Sequence, residues 1–449
     1  MNENKVTNLT LFALTWPILI EIMLHMLMGN ADTLMLSQYS DQAVAAVGVA
    51  NQILSVVIVM FGFVAQGAAV LIAQNIGAGK HKSAAEISVL SISVNLWFSL
   101  LLSIGLVTGA RKILEVMSLP SEIMGEATTY MQIVGGLIFV QALIMTTGAI
   151  LRSYGHTKDT MMVTIGMNIL NVIGNYFAIF GPFGFPVLGV AGVAYSTAIS
   201  RFLGFIVLVF LLIKRSEGEL DFKNFFRYQK DHLMALLKIG VPSAGEQLSY
   251  NGSQMVITYL VAQLGTAAIT TKVYTQNIMM FIFLFAMAIG QGTQILIGHM
   301  IGAGQVKDAY QRGIKSLQLS IFVSLTMASI VYIFAKPLLG IFTDNPSIIE
   351  IGALLLLLTV VLEPGRAFNM VMISSLRAAG DVKFPVYIGI VVMWGVGVTL
   401  AWFLAIYLGL GLIGIWIAFI ADEWIRGMFM LRRWKKQHWV SMHFVSRSK

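Results

Sequence analysis

Long apolar runs separated by short polar loops fill the chain, and each run is of the roughly 20-residue length that crosses a bilayer as a helix. They fall at 9–36, 43–75, 84–109, 128–151, 160–181, 187–213, 233–261, 268–300, 312–335, 348–376, 384–409 and 411–433. This pattern predicts an all-α polytopic membrane protein with twelve spans. The first span is unusual. Between Trp16 and Asp32 it carries two carboxyl groups, Glu21 and Asp32, in an otherwise apolar run. A helix turns roughly 100° per residue, so the 11-residue step returns to nearly the same face, with His25 and Met28 between. A carboxylate at bilayer depth costs on the order of 3 kcal/mol, so such groups face a cavity or a partner. Pro17 lacks an N–H for the helical ladder and predicts a bend one turn before Glu21.

The pattern occurs twice. A constant offset of 225 relates Pro17 to Pro242, Glu21 to Glu246, Gln66-Gly67 to Gln291-Gly292, and Ile76-Gly77-Ala78-Gly79 to Ile301-Gly302-Ala303-Gly304. The same offset relates Leu151-Arg152, Gly155 and Lys158 to Leu376-Arg377, Gly380 and Lys383. Six spans separate the copies, so both halves enter the membrane the same way and are expected to be related by a pseudo-twofold along the membrane normal. That is a parallel-repeat plan used by transporters, in which solutes bind between the halves. The expected organisation is an N-terminal six-helix lobe at 1–215, a linker at 216–232 and a C-terminal six-helix lobe at 233–449 with a basic tail. Glu217, Glu219, Asp221, Lys223 and Arg227 in the linker fit an amphipathic piece on the membrane surface or a solvated loop equally.

Composition narrows the class. Of 449 residues 57% are hydrophobic and 11% charged, with a mean hydropathy of +0.81, against roughly 25% charged residues in soluble domains. The net charge of +8 does not point to nucleic acid, because the bases are sorted by loop. One side of the membrane holds 22 Lys/Arg and the other only Arg111, Lys112 and Lys336. The positive-inside rule then puts both termini in the cytoplasm of a plasma-membrane protein. The first run has no basic leader or small-residue cleavage site, so it is expected to stay as a membrane anchor. Cysteine is absent, which excludes disulfides and thiolate metal sites. There is no H-E-x-x-H, G-x-S-x-G or P-loop, so no enzyme activity, cofactor or ATP coupling has a basis. Gly409-x-Gly411-x-x-Gly414 matches a dinucleotide fingerprint only as a string, and between two apolar spans it reads as a tight turn.

The doubled proline pattern, the GAG-type loops, the LRSYGHTKD and LRAAGDVKFP loops and GPFGFPVLGVAGVAYSTAISR together resemble the multidrug and toxic compound extrusion (MATE) exporters. The resemblance implies two six-helix lobes around a central cleft, and export of small organic cations or amphiphiles in exchange for H⁺ or Na⁺. It also implies that the family's acid in the first span falls on Asp32. In members resembling the DinF branch, polar groups of the fifth and sixth spans surround that acid. Those positions read Asn171, Asn175 and Thr197 here, with Asn175 standing where that branch has Asp. Members resembling NorM carry a glutamate eight residues past the second proline, where this chain has Tyr250, so the likeness is closer to DinF. Asp32, Asn171, Asn175, Thr197, Glu21, Glu246, His25 and Tyr250 are the candidate ion- or substrate-binding residues, and Pro17 and Pro242 the candidate bends. Sodium at Asp32 is the one metal ion considered, and a monomer is expected.

Each candidate has a structural alternative. Glu21 and Glu246 fit ion coupling and helix-to-helix hydrogen bonding equally. His25 fits a proton relay or plain packing. Asn168, Asn171 and Asn175 form a stripe suited to a wet cavity. Asn51-Gln52 and Gln276-Asn277 fit interhelical bonding better than a cleft lining. Glu363 with Arg366, and Asp422 with Arg426, have the spacing of intrahelical ion pairs that neutralise charge. Twenty-six methionines and 27 phenylalanines suit an adaptable pocket, though most are expected to face lipid. Gly105-x-x-x-Gly109 and Gly298-x-x-x-Gly302 permit close helix approach. Two rival functions remain: a lipid-linked saccharide flippase, which would want more cations than Arg201, Arg366 and Arg426, and an intramembrane enzyme.

Overall fold

The computed structural model describes residues 10–216, 220, 225 and 229–445. The charged linker residues Glu217, Glu219, Asp221, Lys223 and Arg227 lie outside the described residues. Helices follow one another with short turns: α1 (Leu11–Ser37), α2 (Asp41–Gly77), α3 (His81–Val116), α4 (Ser121–Gly136), α5 (Ile138–Ser153), α6 (Thr157–Phe180) and α7 (Gly189–Arg215). Beyond the linker come α8 (Lys230–Gln263), α9 (Thr266–Gly302), α10 (Val306–Ile333), the short α11 (Ala335–Gly340), α12 (Pro346–Ala378), α13 (Lys383–Val392), α14 (Thr399–Trp402) and α15 (Gly411–Lys435). α13 and α14 are joined by a π-helical stretch at Met393–Val398, and a second, at Phe403–Tyr407, follows α14.

Among the described residues nine helices are long and apolar enough to cross a membrane, or ten when α4 and α5 count as one span broken by 41°. The fourth span was expected as one run at 128–151; it starts earlier and breaks at Leu137, directly after the Gly135-Gly136 pair. Glycine has the least helical preference of the residues other than proline, and two in succession make a weak point in the ladder. α8 and α15 are also of spanning length but carry charge. Glu246 of α8 is paired with Arg377, and Asp422 and Glu423 of α15 with Arg426, which is how charged helices are tolerated at that depth.

The repeat is written in the backbone. Gly79 and Gly304 have φ of +72° and +77°, and Gly155 and Gly380 have +88° and +99°. Each lets the chain turn left-handed just past a helix. The following N–H then folds back onto the last turn: Lys80 to the Asn75 carbonyl at 2.9 Å, Gln305 to Met300 at 2.8 Å, His156 to Leu151 at 2.9 Å and Asp381 to Leu376 at 2.9 Å. This is the geometry that satisfies orphan carbonyls at a helix end. The turn expected at Gly409–Gly414 is also present, with positive φ at Gly409 and Gly411.

The chain divides into two compact units. One comprises Ile20–Ile76 and Lys80–Gly240; the other takes the described residues up to Leu19, Gly77–Gly79 and the described residues from Val241 on. The division falls inside α1 and inside α8, in each case close to the proline at 17 or 242, although both helices run unbroken through it. Leu36, Ala50, Phe61, Leu114, Tyr130, Met131 and Val193 form the core of the first unit. In the second, Trp416, Leu355, Leu356, Val261 and Ala401 do so, with the Trp416 indole N–H donating to Thr359 Oγ1 at 3.2 Å. Among the described residues, a Cβ at Gly105 would meet nothing within 4 Å, and one at Gly109 only its own helix, so that glycine pair does not mediate close helix packing.

Candidate functional site

In the unit that starts at Ile20, Asp32 is 5% exposed and sits four turns beyond the proline of α1. Asn175 Nδ2 donates to Asp32 Oδ1 at 2.6 Å, Asn171 and Asn175 are within 3.4 Å of each other, and Asn171 Nδ2 donates to Thr197 Oγ1 at 3.2 Å. Ser196 on α7 fixes this row by donating to the Asn171 carbonyl at 2.9 Å. α6 and α7 pack closely at that level: a Cβ on Gly174 would overlap the Ser196 hydroxyl. Four candidates, Asp32, Asn171, Asn175 and Thr197, are therefore joined in one hydrogen-bonded row. Asn168 departs from the stripe and donates to Thr164 of its own helix at 2.8 Å.

The row has oxygen to spare. Asn175 Oδ1 is buried and accepts no hydrogen bond, and Asp32 makes no ion pair among the described residues. Arg201, one turn beyond Thr197 on α7, and Tyr130 lie within electrostatic reach of Asp32. Tyr130 is oriented by a hydrogen bond to Asn51 Oδ1 at 3.3 Å, so Asn51 serves interhelical bonding. Among the described residues no group of three or more His, Cys, Asp or Glu is arranged to hold a metal ion.

Glu21 belongs to a different arrangement. Arg152 Nη1 donates to Glu21 Oε1 at 2.6 Å and Thr160 Oγ1 to Glu21 Oε2 at 2.8 Å, tying α1 to the end of α5 and the start of α6. In the other unit Arg377 Nη2 donates to Glu246 Oε2. Arg152 and Arg377 did not stand out from residue type alone, yet their spacing of 225 is the same as that of the two glutamates, and that signal identifies the pairs. Thr160 has no such counterpart, since the repeat puts Pro385 there. His25 lies exposed on α1. Tyr250, Gln276 and the charged residues Arg366, Asp422 and Glu423 line a cavity in the unit that continues from Val241. There the two expected pairs, Glu363–Arg366 at 2.7 Å and Asp422–Arg426 at 2.6 Å, are present. Glu423, which the sequence reading left aside, joins them through Arg426 at 2.9 Å and Arg366 at 3.8 Å.

Comparison with known proteins agrees with this layout. The MatE family model matches residues 17–177 and again 242–403, so its two copies begin at the two helix prolines. The chain is 56% identical over 431 residues to the "Uncharacterized transporter YisQ" of Bacillus subtilis (strain 168), covering 96% of this chain and 95% of that one. It is 30% identical over 435 residues to the "Probable multidrug resistance protein NorM" of Thermotoga maritima, covering 95% and 93%. The crystal structure of a MATE protein in the bent conformation superposes with a TM-score of 0.87 at 19% identity, over 95% of this chain and 94% of that one. The duplicated proline helices, the paired glycine turns and the two matches of the family model together place this chain in the MatE family of multidrug and toxic compound extrusion proteins, membrane transporters rather than enzymes.

Proposed function

We propose that the protein is a secondary antiporter that exports cationic or amphiphilic small molecules in exchange for H⁺ or Na⁺, with Asp32 as the group that both ligands use. The observation that carries this reading is the pairing of an Asp32 carboxylate that has no ion-pair partner among the described residues with the unfilled carbonyl oxygen of Asn175 beside it. A buried carboxylate without a fixed counter-ion is an expensive feature to keep, and a passing proton or cation offsets that cost. The row around it is built from oxygen donors, Asp32, Asn171, Asn175 and Thr197, the set that suits a hard cation. An organic cation arriving at the same carboxylate displaces the ion, and the displacement is reciprocal: each ligand weakens the other by one common factor. Alternating access of this shared site to the two sides of the membrane then couples the two flows.

Two of the three arginines that a flippase would use argue in the same direction. A flippase for pyrophosphate-linked saccharides needs unneutralised cations, whereas Arg366 and Arg426 are committed to Glu363, Asp422 and Glu423. Multi-pass insertion in the plasma membrane with both termini cytoplasmic follows from the charge bias of the loops. The test is efflux of a fluorescent cation from everted vesicles under an imposed pH gradient and, separately, an imposed sodium gradient. Wild-type protein responds to one of them and Asp32→Asn responds to neither. Transport by Asp32→Asn at the wild-type rate would remove Asp32 from the mechanism.

A further inference from the structure

Most turns on the side of the membrane away from the Lys/Arg-rich loops are polar. Ser40-Asp41 leads into α2, Ser121-Glu122 opens α4, Thr266 opens α9 and Asp344-Asn345 precedes α12. Two turns on that side differ. Between α6 and α7 the chain reads GPFGFPVL at 181–188, and before α15 it reads IYLGL at 406–410. No charged residue occurs from 160 to 200 or from 384 to 421. The two turns are copies: the offset of 225 takes Phe183-Gly184 to Leu408-Gly409, and both glycines have positive φ, +82° and +69°.

Packing within each unit leaves these tips uncovered. Phe183 is 99% exposed and Tyr407 70%, and Phe180, Phe185, Leu408 and Leu410 are exposed as well. The rings gather at the surface. In the first unit Phe177 and Phe185 have centres 5.9 Å apart, and in the second Phe403 and Tyr407 stack at 5.4 Å. Phe183 also holds φ +58° and ψ +25°, a left-handed conformation that crowds a bulky side chain. A ring almost wholly outside the protein gains nothing from its own chain to offset that strain, so the offset comes from what the ring touches outside.

The chemistry of the tips identifies that medium. Aromatic and leucine side chains with no charge nearby favour surroundings other than water. The tips also continue the apolar surfaces of α6, α7 and the span that ends at Tyr407, all of membrane-crossing length and hydropathy. Bare hydrocarbon does not suit them either, because irregular backbone exposed to lipid tails leaves peptide groups unmet. Within the first tip the Gly181 N–H reaches the Phe177 carbonyl at 3.1 Å and the Leu188 N–H that of Ala178 at 2.9 Å, which ties the turn to the end of α6. The boundary between headgroups and acyl chains fits both demands, and aromatic rings are favoured there.

We propose that both tips are seated in the lipid interface of the leaflet away from the basic loops, with their rings and leucines toward the acyl chains and the turn backbone at headgroup level. The first tip then fixes the depth of the adjoining ends of α6 and α7, the helices that carry Asn171, Asn175 and Thr197, and the second that of α15.

The chain has no cysteine, so one introduced cysteine carries a nitroxide label with no other change. Phe183→Cys and Leu408→Cys are labelled, with Glu122→Cys and Asp344→Cys, at exposed positions of polar turns on the same side, as references. Each full-length variant is reconstituted into vesicles of phosphatidylcholine and phosphatidylglycerol. Electron paramagnetic resonance then reads collisions of the label with oxygen, which partitions into lipid, and with a water-soluble nickel chelate. At both tips the ratio of oxygen to nickel collisions is severalfold above that of the references. A ratio at either tip equal to the references puts that tip in water and overturns the proposal. Weak collision with both reagents, or spin–spin broadening that disappears on dilution with unlabelled protein, puts protein over the tip, a second copy in the latter case, and overturns it equally. The readout involves no transport, so either result leaves exchange at Asp32 to its own test.

Discussion

Arg152 reaches back 131 residues to hold Glu21 at 2.6 Å, and Arg377 reaches back the same 131 residues to hold Glu246. The two pairs are copies of one contact, each closed within its own unit. They fasten the segment after each helix proline to the last turn of the helix that carries the Leu-Arg motif, α5 in one unit and α12 in the other. Among the described residues Glu21 and Glu246 thus have fixed cationic partners and Asp32 has none, and under the proposed function this difference separates structural acids from the exchangeable one.

Breaking either pair leaves one charge buried without compensation. Arg152→Gln is expected to destabilise the protein by about 3 kcal/mol, in the range seen when one partner of a buried pair is removed. The double variant Glu21→Gln/Arg152→Gln recovers part of that loss. Thermal unfolding of the two singles and the double, read as a double-mutant cycle, checks the coupling.

Among the described residues, Asn175 donates a hydrogen bond to the Asp32 carboxylate at 2.6 Å. Asn175→Leu is close in volume but leaves Asp32 without that donor and removes the unfilled amide oxygen. Efflux is expected to fall about tenfold, equivalent to about 1.4 kcal/mol, with a smaller change in melting temperature than Arg152→Gln produces. Efflux rates at matched protein levels, beside the melting curves, decide it.

The paired glycine turns differ in what surrounds them. A Cβ on Gly79 would meet nothing within 4 Å, so Gly79→Ala should cost only the left-handed backbone strain of about 1 kcal/mol. At Gly380 a Cβ would overlap the Met442 carbonyl. Gly380→Ala should therefore cost clearly more, and should free the segment after α15 to limited proteolysis, which Gly79→Ala should not do.

That segment is anchored by stacked indoles. Trp434 and Trp439 are fully buried with ring centres 4.2 Å apart, and the Trp439 N–H donates to the Trp434 carbonyl at 3.0 Å. Trp439→Ala is expected to cost about 3–5 kcal/mol, the usual range for a large aromatic removed from a core, which a melting experiment on the purified protein measures.

The spans and the repeat are legible in the sequence because each rests on a periodicity or an offset, whereas the grouping of Asp32 with Asn171, Asn175 and Thr197 is legible only through the family resemblance. Asn171 and Asn175 are one helical turn apart, and Thr197 falls opposite them once α6 and α7 pack as neighbours. Pairing between distant helices was harder to see. Glu21 with Arg152 needed the extra step of applying the 225-residue offset to both partners at once. Glu423 carries no such mark, since nothing in the spacing shows that α12 brings Arg366 and Asn369 against it. The break at Leu137 was hidden for a similar reason: hydropathy runs smoothly through the bend, and only Gly135-Gly136 marks it.

The central claim is that proton or sodium and the exported cation share Asp32. The most direct measurement is the affinity of the purified protein for a fluorescent organic cation as a function of sodium concentration at fixed pH and of pH without sodium. For the wild type, one series weakens dye binding competitively, and the dye weakens ion binding by the same factor; in Asp32→Asn that mutual effect disappears. Dye affinity indifferent to both ions in the wild type, or competition that persists unchanged in Asp32→Asn, would contradict the account.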